Sequence, residues 1–281
     1  MGLIRLSILT LLFLPLLTLQ AQQYEFGISG LGTGYMGDLN PTNPFYIKNL
    51  GAGVSVKYNF NPTWGVKLGA NYLIVDGNDN DFKNNFQKNR RLLFRNQLKE
   101  LALTTEFNFF KIDGSKGAKK YTPFLSAGVA GLIHDPYIYY YQNKINLREL
   151  KLEYDENNTN KYSKFALAIP IGVGFKYKLD KNWRIGVDLS YRTVFSDYID
   201  NVSNNYPSAM PKDIQKPNIT IIDNGISRSF DENDWKYLAD PSKDLENKSG
   251  TARGDSKKFD GILTAGITLN YTLISSKCYF W

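Results

Sequence analysis

The chain switches, residue by residue, between apolar side chains and small or polar ones, and it does so in eight separate runs. Period-two alternation marks a β-strand with two unlike faces. The first run sets Tyr24, Phe26 and Ile28 against Glu25, Gly27 and Ser29. The second carries Ala52, Val54, Val56, Tyr58 and Phe60 on one face, and the third Trp64, Val66, Leu68, Ala70, Tyr72 and Ile74. The fourth has Leu101, Leu103, Thr105, Phe107 and Phe109, and the fifth spans Tyr121 to Ile133. The sixth runs from Phe165 to Leu179, the seventh from Trp183 to Arg192, and the eighth from Leu263 to Leu273. No helical period of useful length follows Gln22.

Most of these runs reach roughly 10–15 residues, against ~5–6 for an ordinary strand and ~9–11 for a tilted transmembrane strand. One face is apolar throughout, while the other holds Gly, Ser, Thr and scattered charges. A soluble sandwich would clothe its outside with Lys and Glu, and these opposite faces are too small for that. They suit the crowded interior of a narrow barrel. The expected fold is therefore all-β: an eight-stranded antiparallel transmembrane barrel. Mean hydropathy is −0.36, which excludes a bundle of membrane helices and leaves a barrel untouched.

Connection lengths support this. Asn61-Pro62-Thr63 and Asp180-Lys181-Asn182 join neighbouring runs tightly, and Lys111–Lys120 is somewhat longer. The segments 36–49, 76–95, 135–162 and 198–259 are long, so short and long connections alternate. Outer-membrane barrels alternate in this way, with short periplasmic turns and long outer loops. An even strand number then places both termini on the periplasmic side. Trp64 and Trp183 follow the two tight turns, and Tyr58 and Tyr177 precede them. These four are expected in an aromatic girdle. In hydrocarbon no sheet edge can stay unpaired, so the first run must close onto the last. Lys57, Lys67, Arg184 and Arg192 would then meet Glu25, Glu100, Glu106 and Asp188 inside. This predicts a polar network that plugs the lumen, not a set of catalytic carboxylates.

Residues 1–21 read as a secretory signal peptide: Arg5, an apolar stretch interrupted by Pro15, and Ala21 at the expected cleavage site. The mature chain is expected to start at Gln22 and form one barrel domain through Trp281, with its last outer loop at about 198–259. Without Arg5 the formal charge falls from +7 to +6, spread through loops and interior, so no nucleic-acid surface is expected.

Other chemistry is sparse. One Cys and one His exclude a disulfide framework and multi-His metal sites. His134 would be the only base for a lipid-modifying hydrolase, and it reads better as a satisfied interfacial residue. The glycines from Gly27 to Gly34 match no nucleotide fingerprint, and Gly114-Ser115-Lys116-Gly117 precedes no helix. Arg253-Gly254-Asp255 is too short a match to carry an adhesin reading. Asp223-Asn224-Gly225 between Ile222 and Ile226 predicts a hairpin inside the last loop. No catalytic residue, cofactor or metal is predicted, and the chain is not expected to be an enzyme.

Five segments carry a resemblance. Tyr35-Met36-Gly37-Asp38-Leu39-Asn40-Pro41 follows the first run, and Glu100 to Phe110 reads ELALTTEFNFF. Tyr121-Thr122-Pro123-Phe124 opens the fifth run, and the segment 168–174 reads AIPIGVG. Tyr191 to Asp200 reads YRTVFSDYID. Together they resemble the PorG-type outer-membrane barrels of the Bacteroidetes type IX secretion system, over about Tyr24 to Tyr271. The resemblance implies a non-enzymatic subunit set in outer-membrane lipid. It would anchor or brace a periplasmic ring of PorK- and PorN-like components, or the outer-membrane translocon, at that membrane. Topology leaves the turn residues Lys111, Asp113, Lys116, Lys119 and Lys120, with the terminal segment around Cys278, as candidate partner contacts. Gly37, Asp38, Asn40, Pro41, Asp197, Tyr198 and Asp200 lie at strand ends and are expected to brace the outer loops or meet the translocon. The alternative is a general surface barrel that binds ligands or host surfaces through loops rich in Tyr137, Tyr139, Tyr140 and Tyr141.

Overall fold

The computed structural model describes residues 23–82, 84–112, 117–153, 162–212, 214, 216–223, 226–255 and 257–273. Each alternating run becomes one wall strand: β1 (Gln23–Met36), β2 (Asn49–Asn59), β3 (Trp64–Asn78), β4 (Leu93–Asn108) and β5 (Tyr121–Ile133). Two short strands, β6 (Tyr137–Tyr140) and β7 (Asn143–Asn146), lie in the next loop. The wall resumes with β8 (Phe165–Lys178) and β9 (Trp183–Val194). The last loop holds β10 (Thr220–Asp223) and β11 (Ile226–Ser229), and β12 (Asp260–Leu273) completes the wall.

The eight wall strands pair in the order β3-β2-β1-β12-β9-β8-β5-β4, and β4 returns to β3. The result is a closed antiparallel barrel. First and last strands join from Tyr24↔Leu273 to Met36↔Gly261, so no edge is left in the wall. One ladder skips two residues. Between Ala127↔Ile171 and Ala130↔Ala168 of β5 and β8 lies Pro170, which has no N–H to give.

At the end with the tight turns, the outward face is apolar and exposed, with Ile28, Val54, Leu68, Leu101, Val129 and Ile171 among its residues. The inward face there is polar and buried. At the loop end this pattern changes. Leu31, Leu73, Val75, Phe94, Leu98, Leu132 and Ile262 are buried at the upper ends of their strands. They merge with a core formed by the loops, including Leu39, Leu150, Ile199, Phe230, Trp235 and Leu238. The long loops therefore fold into a cap with its own hydrophobic core. The extrapolation of one polar inward face along each whole strand is corrected at this end. The signal was Leu73-Ile74-Val75, where alternation stops and three apolar residues follow in a row.

Two segments of the cap show why it orders. Asp231 caps the helix Glu232–Ala239, accepting from the backbone N–H of Asn233 (2.8 Å) and Asp234 (3.1 Å). That helix buries Trp235, Leu238 and Ala239, spaced to share one face. The hairpin read from the last loop is present: β10 and β11 pair from Thr220↔Ser229 to Asp223↔Ile226.

Candidate functional site

The lumen near the turn end is filled by charge. Lys57 Nζ lies 3.2 Å from Glu25 and 2.9 Å from Glu106. Lys176 Nζ also contacts Glu106 and approaches Glu25 at 3.8 Å, while Arg184 reaches Glu25 at 3.4 Å. Nearer the loops, Arg192 holds Glu100 at 2.6 Å and donates to the Thr264 hydroxyl at 2.8 Å. Asn71 adds a 2.6 Å hydrogen bond to Glu100. Every charged member of these two clusters is buried. Buried charges are tolerated only when paired and hydrogen-bonded. This arrangement pairs every charge, leaving Arg184 Nε without a hydrogen-bond partner among the described residues, and encloses a cavity of about 80 Å³.

The structure differs from expectation at two lumen residues. Lys67 and Asp188 line the cavity but make no ion pair among the described residues. Register gives the reason. The direct neighbour of Lys67 on β2 is Lys57, a like charge that already engages the nearby carboxylates. Asp188 is flanked by Gly174 on β8 and Gly266 on β12, so neither neighbour brings a cation. Asp188 instead accepts a long 3.5 Å hydrogen bond from Thr268. Lys176, on the polar face of its run but outside the predicted network, is central to it.

An aromatic ring encircles the turn end. Tyr58 packs on Tyr24 (5.3 Å between centroids), Trp64 on Phe107 (4.9 Å), Tyr121 on Phe175 (5.6 Å) and Trp183 on Tyr271 (5.0 Å). Tyr177 is exposed on the same face. Every wall strand supplies at least one member, twice the number of strands that the tight turns alone suggest.

The strand-end residues converge under the cap. The Tyr35 hydroxyl donates to Asp200 (2.6 Å) and to Asp260 (2.9 Å). Asp260 accepts from the Ile199 backbone N–H (2.9 Å), and Asp200 from that of Val202 (2.8 Å). Asp38 accepts from the Asp255 backbone N–H. Asn40 ties the loop to the wall, donating to the Tyr35 carbonyl (2.6 Å) and to that of Asn43 (2.7 Å). Gly37 stands where any Cβ would collide with the Tyr35 hydroxyl and the Asp260 carboxylate. Pro41 follows the bridge that Gly37 and Asn40 form. Burial pushes Asp38 and Asp197 up to about 7, with Asp255 adding repulsion at both. Asp200 is raised well above the usual carboxylate range by burial and then by Asp260 and Asp38. Tyr198 stacks on Tyr162 at 4.3 Å, and His134 stacks beyond it at 6.0 Å. Burial pushes His134 down to about 4, so the imidazole is a packed neutral ring.

Two arginines to which the sequence assigned no bracing role complete the brace. Arg90 grips Asp79 through two hydrogen bonds (2.8 and 2.7 Å) and also donates to the carbonyls of Arg253 (2.7 Å) and Asp38 (2.8 Å). Arg253 is itself buried and bonds Glu153 and the Asn201 carbonyl, each at 2.9 Å. The Arg253-Gly254-Asp255 tripeptide is therefore a structural strut with its arginine turned inward. Nothing in the local pattern marks Arg90 or Arg253, because their partners lie in other loops.

At the turn end, Lys111, Lys119 and Lys120 are exposed, and Lys119 Nζ sits 3.7 Å from the centre of the Phe110 ring. Asp113, Lys116, Cys278 and the segment 1–21 lie outside the described residues. No group of three or more His, Cys, Asp or Glu residues that could hold a metal occurs among the described residues. No helix among them is long and apolar enough to cross a membrane.

A closed barrel with an apolar exterior, an aromatic girdle and a charged, plugged lumen defines a β-barrel of the outer-membrane class. Within that class, residues 4–220 match the family described as "Domain of unknown function (DUF6089)", and the chain belongs to it. No curated protein matches. Among solved structures, the chain is similar to OprG from Pseudomonas aeruginosa at 8% identity and a TM-score of 0.40, covering 91% of this chain and 97% of that one. It is also similar to a major outer membrane protein from Thermus thermophilus, at 15% identity and a TM-score of 0.41, covering 90% and 100%. Ail of Yersinia pestis matches at 9% identity and a TM-score of 0.39, also covering 90% and 100%.

Proposed function

We propose that this chain is a non-enzymatic barrel subunit of the type IX secretion system, set in the bacterial outer membrane with both termini periplasmic. It would anchor or brace a periplasmic ring of PorK- and PorN-like components, or the translocon, at that membrane. One observation carries the reading: the two segments most specific to the resemblance meet in a single brace. Tyr35 and Asp38 of the first segment share the buried carboxylate cluster with Asp197 and Asp200 of the second. The paired lumen and the folded cap also favour a scaffold over a pore, since charge blocks one end and packing the other.

The partner-facing surface at the turn end would be the basic loop that bears Lys111, Lys119 and Lys120. The test uses full-length protein in cells that lack the native copy. Charge reversal at Lys119 and Lys120 should release ring components from the outer-membrane fraction and reduce secreted proteins in the medium, while the barrel stays folded. Normal secretion and a retained ring after complete deletion of the chain would sink the secretion reading. Retention after charge reversal alone would remove only the loop from it.

A further inference from the structure

The top of the cap carries a groove of about 920 Å³ between the β6–β7 hairpin and the helices of the last loop. That is within the size of ligand pockets. Four tyrosines, Tyr139, Tyr140, Tyr141 and Tyr237, line it among charged and amide side chains. Tyr139, Tyr141 and Tyr237 are exposed, at 57%, 43% and 39%. Tyr140 fixes the set: its hydroxyl donates to Asp234 at 2.9 Å, and its ring packs on Tyr141 (4.8 Å) and Tyr237 (5.7 Å).

The hairpin turn is built against its own preference. Tyr140 pairs with Asn143, so Tyr141 and Gln142 form a two-residue connection. Both sit at positive φ, +44° and +65°. Such turns favour Asn-Gly, because a Cβ is strained in that region. The same chain places Asn224-Gly225 between β10 and β11. Strain held at a binding surface points to a role for the strained residue.

Charge narrows the ligand. Arg228 is neutralised by Asp234 at 2.6 Å, Lys236 by Glu232 at 3.0 Å, and Asp240 by Lys248 at 3.1 Å. Lys243 then faces Asp244 and Glu246 around the groove. There is no cationic surplus for a phosphate or sulfate, and Leu245, which lines the groove but is buried, offers too little apolar floor for a lipid chain. Asn233 and Asn247 supply neutral donors and acceptors at the rim.

We propose that this groove binds a neutral carbohydrate chain, with Tyr139, Tyr141 and Tyr237 stacking on sugar faces and Asn233, Asn247 and Glu246 meeting hydroxyls. Flat C–H faces suit the apolar body of tyrosine, and hydroxyls suit amides and carboxylates. The proposal stands independently of the secretion role.

The test is calorimetric titration of the full-length protein in detergent micelles with maltohexaose, chitohexaose and xylohexaose, using heparin hexasaccharide as the anionic comparator. At least one neutral hexasaccharide should bind, with little change when salt is raised. Tyr139→Ala and Tyr237→Ala should each weaken binding roughly three- to tenfold, the scale of one stacking contact. Replacing Tyr141→Asn together with Gln142→Gly should raise the melting temperature and still weaken binding. That pairing separates lost function from lost folding. Three results would overturn the proposal: no binding by any neutral hexasaccharide, binding that survives all the tyrosine changes, or binding confined to the heparin fragment.

Discussion

The lumen at the turn end and the cap at the loop end solve the same problem by opposite means. Both close a tube. The lumen does so with charges fixed on rigid neighbouring strands, where register decides which pairs form: Lys57 and Lys176 reach Glu106, whereas Lys67 and Asp188 reach no partner ion among the described residues. The cap closes its end with apolar side chains from separate loops, stitched by Arg90 and Arg253 to distant carbonyls and carboxylates. Ionic closure depends on a few pairs and fails when one member is lost. Apolar closure is spread over many contacts and fails locally.

The largest expected effect comes from breaking the ionic half. Glu106→Ala leaves Lys57 and Lys176 sharing Glu25 alone, at a cost of about 3–5 kcal/mol to the whole barrel. It would be read as a lower melting temperature and loss of the heat-resistant band on unboiled gels. An unchanged barrel would mean that water can replace the carboxylate. The matching change in the cap is Trp235→Ala, which removes a fully buried ring and its 2.8 Å bond to the Leu150 carbonyl. It should cost about 3–5 kcal/mol of local stability. Amide exchange should rise across 201–259 while the wall strands stay protected. Exchange rising equally in the wall would show that cap and barrel unfold as one unit.

A smaller effect follows from the carboxylate cluster. Asp38 and Asp197 are raised to about 7 from an ordinary 3.8, so folding favours their protonated forms. Their contribution is greatest at acid pH and is lost as pH rises through about 7. Proteolysis of the cap should therefore be slower at about pH 5 than at about pH 8. Asp38→Asn and Asp197→Asn should flatten that difference, and an undiminished pH response in the double variant would place its source elsewhere. The smallest effect is expected at Lys67→Met. This change removes a charge that has no ion partner among the described residues, and it should shift stability by under about 1 kcal/mol. A loss as large as that of Glu106→Ala would put Lys67 inside the ionic network after all.

Both halves were legible to different depths. The lumen residues Lys57, Glu100, Glu106, Arg184 and Arg192 could be placed inside from alternation alone, because a strand's period of two assigns each side chain a face. Which charges pair needed the register, and that is where Lys67, Asp188 and Lys176 departed from expectation. In the cap, the β10–β11 hairpin was readable because its chemistry is local. Its strut was not: Arg90 meets Arg253 across 163 residues, and Tyr35 meets Asp200 across 165.

By itself, the sequence determined the wall: eight strands, their order along the chain, the lipid-facing side of each and the position of the tight turns. Strand periodicity and turn chemistry act over a few residues, so they are written in the chain. Only the tertiary structure decided that the long loops fold into a packed cap, that Arg253 turns inward, and that four tyrosines line a groove in that cap. These depend on which loops become neighbours once the barrel closes, and closure brings together segments that no local pattern connects.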